Sequence, residues 1–304
     1  MLWTFDYRPK TIDECIIPKE TKKQMNEIVA SGEIPNMLFV GRPGIGKTTV
    51  AMALCDQLET DVLFINASKD NGIDMVRSRV EQFASTVSLT GGKKVVIFDE
   101  SDGLSSQAQD SLKGVIEQFA KTCSFIFTAN NLYKVIPALQ SRLRTYSFTV
   151  PQDERKALVI GMSKRAFSIL ENEEIKFDKQ AVASLINKNF PDFRKSIDEL
   201  QRFAMSGEID ESILTNLQTS SIESLVSAMK EKNFGECRKW AANNASELVF
   251  RDLYKALDGV LEPSCIPEII LTIGEYQYRS NNGADPEINI AAFCVEFMKK
   301  AKFK

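Results

Sequence analysis

Between residues 36 and 150, short apolar or β-branched runs at 36–40, 62–66, 95–98, 124–128 and 145–150 alternate with longer stretches of mixed polarity. Runs of this length fit strands covered on both faces. Their alternation with helical stretches predicts an α/β fold, a mostly parallel five-stranded sheet with flanking helices that ends near Pro151. The segment 72–88 repeats apolar residues at Ile73, Val76, Val80, Phe83, Ala84 and Val87, and 105–120 does so at Ala108, Leu112, Val115, Ile116 and Phe119. Both spacings predict helices with one buried and one solvent face. After Gln152 the pattern changes to helices without strands, about 152–170, 178–188 and 192–206, the last opened after Pro191-Asp192 and closed by Gly207. A further all-helical stretch runs from Ile222 to the end, with breaks expected at Gly259–Pro263, Pro267 and the turn 281–286. The expected division is an α/β domain over 1–150, a helical lid over 151–207 and a helical third domain over 208–304.

The first apolar run leads into Gly41-Arg42-Pro43-Gly44-Ile45-Gly46-Lys47-Thr48-Thr49. A G-x-x-x-x-G-K-[ST] sequence after a strand and before a helix is the context that a phosphate-cradling loop requires. The glycines let backbone amides face a β-phosphate, Lys47 can reach the β/γ-phosphates, and Thr48 can offer its hydroxyl to Mg²⁺. A chance Gly/Pro turn is the bland alternative, and the third run weighs against it. Val95-Val96-Ile97-Phe98 ends in Asp99-Glu100, two carboxylates at the end of a strand where open α/β sheets place their ligands. Asp99 is then the carboxylate on the Mg²⁺ side and Glu100 the one that polarises a water. A nucleoside triphosphate and Mg²⁺ are the expected ligands.

Three more polar residues follow apolar stretches. Asn130, after Phe125–Ala129, is either a phosphate or water sensor or a polar turn residue. Arg142 follows a short helix and precedes the last strand; it forms either a surface ion pair or a contact to a neighbouring subunit's phosphates. Arg194 opens a helix after Pro191-Asp192-Phe193, where positive charge does not suit the helix dipole, which favours a functional role.

Composition narrows the classes further. Of 304 residues, 43% are apolar, and no apolar run approaches the length of a membrane span, so no membrane association is expected. The start, Met1-Leu2-Trp3-Thr4-Phe5-Asp6, shows no secretory pattern, which with the cysteines predicts a cytoplasmic protein. There is no histidine, and the six cysteines form no C-x-x-C pair, so zinc sites and histidine-activated nucleophiles lack their parts. Buried thiols in a reducing compartment are expected. Net charge is −3, divided as 27 Lys/Arg against 26 Asp/Glu over 1–206 and 11 against 15 over 207–304. Any nucleic-acid contact must therefore use local basic clusters in the first two-thirds, summed over several subunits.

Six motifs in order, Tyr7-Arg8-Pro9 with Thr11-Ile12-Asp13-Glu14, the glycine loop, Asp99-Glu100, Thr128-Ala129-Asn130-Asn131, Gln140-Ser141-Arg142 and Asn189-Phe190-Pro191-Asp192-Phe193-Arg194-Lys195, give the chain its resemblance to the AAA+ ATPases. It is most similar to the large ATPase subunit of sliding-clamp loaders of T4-like bacteriophages, a family related to the small subunits of replication factor C. The resemblance implies that Arg8 lies by the adenine pocket, that Asn130 senses the γ-phosphate, that Arg142 acts in trans and that Arg194 acts in cis. The family's cysteine after the trans-acting arginine is Leu143 here. It also implies five subunits, four copies of this chain with one small subunit of another type, joined by their third domains around primer-template DNA. The resemblance implies, too, that the nucleotide is ATP, that ATP binding opens the ring-shaped clamp and that DNA-triggered hydrolysis releases it.

On that basis the clamp is expected on Phe83, Val87 and Leu89, although Phe83 also fits the core. DNA is expected at the N-terminal ends of the helices near Asp74 and Ser105, with Arg77, Arg79 and Lys113, each of which also fits an ordinary surface ion pair. Alternatives are another DNA-associated AAA+ motor, such as a helicase loader or a branch-migration ATPase, and a non-hydrolysing scaffold that retains the fold.

Overall fold

The computed structural model describes residues 2–67, 73–87, 93–205, 207–209, 222–244, 249–257 and 260–303. The chain divides into two compact units, Met1–Asp210 and Glu211–Lys304.

In the first unit, β1 (Met37–Val40), β2 (Val62–Asn66), β3 (Lys94–Asp99), β4 (Cys123–Ala129) and β5 (Arg144–Ser147) form one parallel sheet in the order β2-β3-β4-β1-β5. The period-two rule of strands sends neighbours to opposite faces. Val96 and Phe98 join one apolar cluster with Leu38, Phe125 and Phe127, whereas Val95 and Ile97 join the other with Met37, Phe39 and Ile126. β3 and β4 are buried along their whole length, which is why they read as uninterrupted apolar runs.

The short α1 (Trp3–Asp6) and α2 (Lys19–Ser31) precede β1, and α2 ends at Gly32 in the left-handed region, φ 71°. α3 (Lys47–Gln57), α4 (Ile73–Ser85), α5 (Ser106–Gln118) and α6 (Pro137–Gln140) follow β1 to β4 in turn. Ser105 caps α5, its hydroxyl accepting the Ala108 amide at 3.2 Å. β5 is shorter than its apolar run of 145–150: it ends at Ser147, and Phe148, whose amide still donates to the Val40 carbonyl at 2.7 Å, packs fully buried against Phe39 with ring centroids 5.1 Å apart.

Lys94, only 3% exposed, opens β3 and ties down the end of α4. Its ammonium donates to the Phe83 carbonyl at 2.7 Å and to both the carbonyl and the hydroxyl of Thr86, and it lies over the Phe83 ring.

Past Pro151 come α7 (Arg155–Asn172), α8 (Lys179–Asn189) and α9 (Phe193–Ala204), the last two capped by the Asp178 and Asp192 side chains. The expectation of helices alone is corrected here. β6 (Lys176–Phe177) and β7 (Glu208–Ile209) pair in parallel, two residues each, too short for a period-two signal.

The second unit contains α10 (Ile222–Lys230), α11 (Phe234–Asn244), α12 (Val249–Ala256), α13 (Ile266–Asn281) and α14 (Pro286–Lys300), packed around Trp240, Phe250, Phe293 and Phe297. Pro267 does not break a helix as expected; it occupies the first turn of α13, where its missing N–H costs nothing. All six cysteines are free and buried.

Candidate functional site

The glycine loop connects the end of β1 to α3. Gly44 and Gly46 have φ of 71° and 99°, backbone that side-chain-bearing residues rarely adopt, and Gly46 is the residue immediately before α3. A Cβ on Gly44 would lie 1.8 Å from the Asp192 carboxylate, and the Gly44 carbonyl accepts the Phe193 amide at 3.2 Å. The start of α9 is thus packed directly onto the loop.

Lys47 is 7% exposed, and its ammonium donates to the carbonyls of Gly41 and Arg42 at 2.8 and 2.9 Å and to Asn130 Oδ1 at 2.9 Å. Burial pushes its pKa down to about 8, against the opposing pull of Asp99.

Asp99 Oδ1 accepts from two hydroxyls, Thr48 at 2.6 Å and Thr128 at 2.8 Å. Thr128 is 1% exposed, and its Oγ1 also accepts the Glu100 amide at 3.0 Å. Glu100 has φ 56° and ψ 44°, a left-handed conformation unusual for a side-chain-bearing residue, so this hydrogen bond helps to hold the turn that aims its carboxylate. Asp102 accepts the amides of Asn130 and Asn131 at 3.2 and 3.3 Å, which fixes the turn that presents Asn130 to Lys47.

A cavity of about 210 Å³ is lined by Arg8, Pro43, Gly44, Ile45, Gly46, Lys47, Thr48, Thr49, Asp99, Glu100, Asn130 and Arg194. Ile16, Ile17, Met162, Ile169 and Ile197 add apolar surface to the same cavity. Amide donors, cations and an apolar wall suit a ligand with phosphates and a flat base. Arg8 Nε is buried with no hydrogen-bond partner; burial, and then repulsion from Arg194, lower its pKa. Two guanidinium groups that repel each other across a cavity favour a polyanion there. Thr48 and Asp99 offer hard oxygen donors, and no cluster of three or more acidic or thiol ligands exists among the described residues. That donor set fits Mg²⁺, which takes one or two protein oxygens and completes its shell with phosphates and water.

Arg142 lies outside the cavity lining and pairs with Glu117 on α5 at 2.6 Å. Arg77 pairs with Glu81 at 2.7 Å and Lys113, itself half-buried, with Asp110 at 2.5 Å, i,i+4 and i,i+3 surface pairs of the kind worth about 0–1 kcal/mol. Arg79 is half-buried on α4, and the exposed Ser105 spends its hydroxyl on the α5 cap. Val87 is 90% exposed, whereas Phe83 is half-buried and packs against the sheet core. Leu89 lies outside the described residues.

Sequence reasoning assigned no role to Thr128, Asp102, Asp192 or the apolar wall. The available signals were a hydroxyl inside an apolar strand, a third acid after Asp99-Glu100 and an aspartate at a helix start. None of them says which partner the side chain meets.

Residues 37–152 match the ATPase family associated with various cellular activities (AAA), and residues 154–215 match the AAA+ ATPase lid domain of the sliding-clamp-loader large subunit. The chain is 35% identical to the sliding-clamp-loader large subunit of Enterobacteria phage T4, over 98% of this chain and 96% of that protein. It is 38% identical to the corresponding subunit of Escherichia phage RB69, over 79% and 77% of the two chains. The replication factor C small subunit of Archaeoglobus fulgidus is 29% identical over 99% of this chain and 98% of its own. Among solved structures, a RuvB variant from Thermotoga maritima covers 71% of this chain and 74% of its own with a TM-score of 0.55 at 17% identity, a likeness of fold alone. With the phosphate loop, the acidic pair and the packed lid in one unit, and with such relatives along almost its whole length, the chain belongs to the sliding-clamp-loader large-subunit family of AAA+ ATPases.

Proposed function

We propose that the chain is the ATP-hydrolysing subunit of a sliding-clamp loader, using ATP binding to open a ring-shaped clamp and DNA-triggered hydrolysis to leave it on primer-template DNA. The observation that carries this is the convergence of Lys47, Thr48, Asp99, Glu100, Asn130, Arg8 and Arg194 on one cavity. Glu100 acts as the base that polarises the attacking water, Lys47 and the loop amides bind the phosphates, and Asn130, whose Oδ1 accepts from Lys47, orients the γ-phosphate through its side-chain N–H groups. Arg8 and Arg194 add positive charge from the same subunit, and Arg142 adds it from the next. Mg²⁺, when held by Thr48 and Asp99, neutralises phosphate charge.

The partners are the clamp, primer-template DNA, a small subunit of another type and further copies of this chain, four in a five-subunit assembly, working in the cytoplasm of an infected host. The exposed Val87, just past α4, is the clamp-facing residue supported by its exposure. Free amides in the first turn of α5 suit phosphates; Arg77 and Lys113 would meet DNA by exchanging their present carboxylate partners, with Arg79 on the same helix as Arg77.

The test is ATP turnover by the purified assembly with clamp and primer-template DNA, across a salt series. Joint stimulation that weakens with salt is expected, and Glu100→Gln should keep nucleotide affinity while nearly abolishing turnover. Turnover indifferent to clamp and DNA together, or equal loss of binding and turnover in Glu100→Gln, would overturn the assignment.

A further inference from the structure

We infer that Glu117 is a positioning residue for Arg142, and that it works through the shape of its contact rather than through its charge. The inference rests on Arg142 acting at a neighbouring subunit's phosphates. The Arg142 side chain is anchored in its own subunit at all three guanidinium nitrogens. Nε donates to Glu117 Oε1 at 2.8 Å, Nη2 donates to the same oxygen at 2.6 Å, and Nη1 donates to the Ala138 carbonyl in α6 at 2.7 Å. α5 and α6 pack against each other, and the Arg142 amide donates to the Leu139 carbonyl at 3.1 Å, so acceptors and arginine belong to one packed corner.

A guanidinium carries five N–H donors in a rigid fork. The three contacts leave one N–H on each terminal nitrogen for phosphate oxygens. Glu117 takes the side-on edge, and the Ala138 carbonyl stops rotation about the chain. An arginine held in this way arrives at a subunit boundary with its rotamer already chosen, which is what a catalytic cation needs, since small misplacements cost rate steeply.

A charge latch, in which Glu117 restrains Arg142 until assembly, is the competing role. The pair is a poor latch: both side chains are substantially exposed, at 33% and 61%, and the contact uses a single carboxylate oxygen. Because that one oxygen receives both N–H groups, an amide oxygen can replace it.

Two substitutions therefore separate shape from charge. Glu117→Gln keeps the length and an acceptor but loses the charge, and Glu117→Asp keeps the charge but withdraws the acceptor by one methylene. In the assembled complex, stimulated by clamp and primer-template DNA, Glu117→Gln should stay within about 1.5-fold of the unmodified kcat, and Glu117→Asp and Glu117→Ala should fall about three- to fivefold with KM for ATP unchanged. Glu117→Gln as slow as Glu117→Ala, Glu117→Asp at full rate, or Glu117→Gln faster than the unmodified protein would each overturn the inference. Arg142→Ala run in parallel distinguishes the levels: full activity there overturns trans action itself and this inference with it, whereas an inactive Arg142→Ala beside a fully active Glu117→Ala overturns the positioning role alone.

Discussion

Replacing Thr128 by Val tests whether the acidic pair is held in place by one buried hydroxyl. Valine has nearly the same shape, so packing in β4 is kept and the change is chemical. Two hydrogen bonds disappear: the one that Thr128 donates to Asp99 Oδ1 at 2.8 Å and the one it accepts from the Glu100 amide at 3.0 Å. Asp99 keeps Thr48 at 2.6 Å, so its carboxylate retains one of the two hydroxyl donors. Losing a hydrogen bond to a charged group and withdrawing the acceptor from a buried amide together cost about 3 kcal/mol. In a unit of this size that is a fall of roughly 6–12 °C in the unfolding midpoint.

The catalytic effect comes through Glu100, whose left-handed backbone, φ 56°, needs the amide contact to persist. If about 1.4 kcal/mol of that support is lost in the transition state, kcat falls about tenfold. On the proposed assignment nucleotide affinity rests on Lys47 and the loop amides and should change far less. Thermal unfolding followed by circular dichroism, and steady-state ATP turnover, give the two readouts, with Thr128→Ser expected to restore most of both. Thr128→Val that melts within a degree of the unmodified protein and turns over ATP at its rate would refute the reasoning.

Further outcomes follow from other contacts at the site. Gly44→Ala should weaken ATP binding strongly, since the new Cβ would meet the Asp192 carboxylate at 1.8 Å in a backbone of φ 71°; Asp192→Ser should recover part of the loss in the double variant, and isothermal titration of the single variant at unchanged affinity would count against the contact. Lys47, with a pKa of about 8 against an ordinary 10.5, should make ATP affinity fall as pH rises through 8, with proton uptake on binding above that pH, measurable in buffers of different ionisation enthalpy. The sign is opposite for folding: between about 8 and 10.5 the unfolded chain binds the extra proton, so the contribution of Lys47 to the stability of the ligand-free protein rises with pH in that window. Lys94→Met should loosen the end of α4, because three acceptor groups lose a buried cation; faster amide hydrogen exchange over residues 83–87 is the check, and unchanged exchange there would argue that Lys94 only fills space.

Legibility from sequence tracked the range of the interaction. The glycine loop and Val95–Glu100 were readable because each carries its chemistry within a few consecutive residues, and β3 and β4 because burial on both faces leaves no polar position to confuse the period. The Thr128–Asp99 and Arg142–Glu117 contacts join residues far apart in the chain, so nothing local announces them. Lys94 illustrates the opposite difficulty: a lysine at the start of a strand reads as solvent-facing, and only the carbonyls at the end of α4 make its burial tolerable. The β6–β7 pair is too brief for any periodic signal, and Phe148 prolonged the apolar pattern of β5 beyond its ladder.

The strand order β2-β3-β4-β1-β5 has a consequence for how the protein is made. β1 is synthesised first among the strands, yet its two neighbours are β4 and β5, with Met37 opposite Ile126 and Arg144. The apolar segment Met37–Val40 must therefore wait for roughly ninety residues of further synthesis, on the order of ten seconds at bacterial translation rates, before it finds its first partner. During that interval the phosphate loop hangs from a strand that belongs to no sheet. A nascent chain halted before Cys123 carries the complete glycine motif and has neither of the ladders that flank it, so the loop gains its support late in synthesis, first when the last two strands of the sheet close around β1 and then when α9 packs onto Gly44.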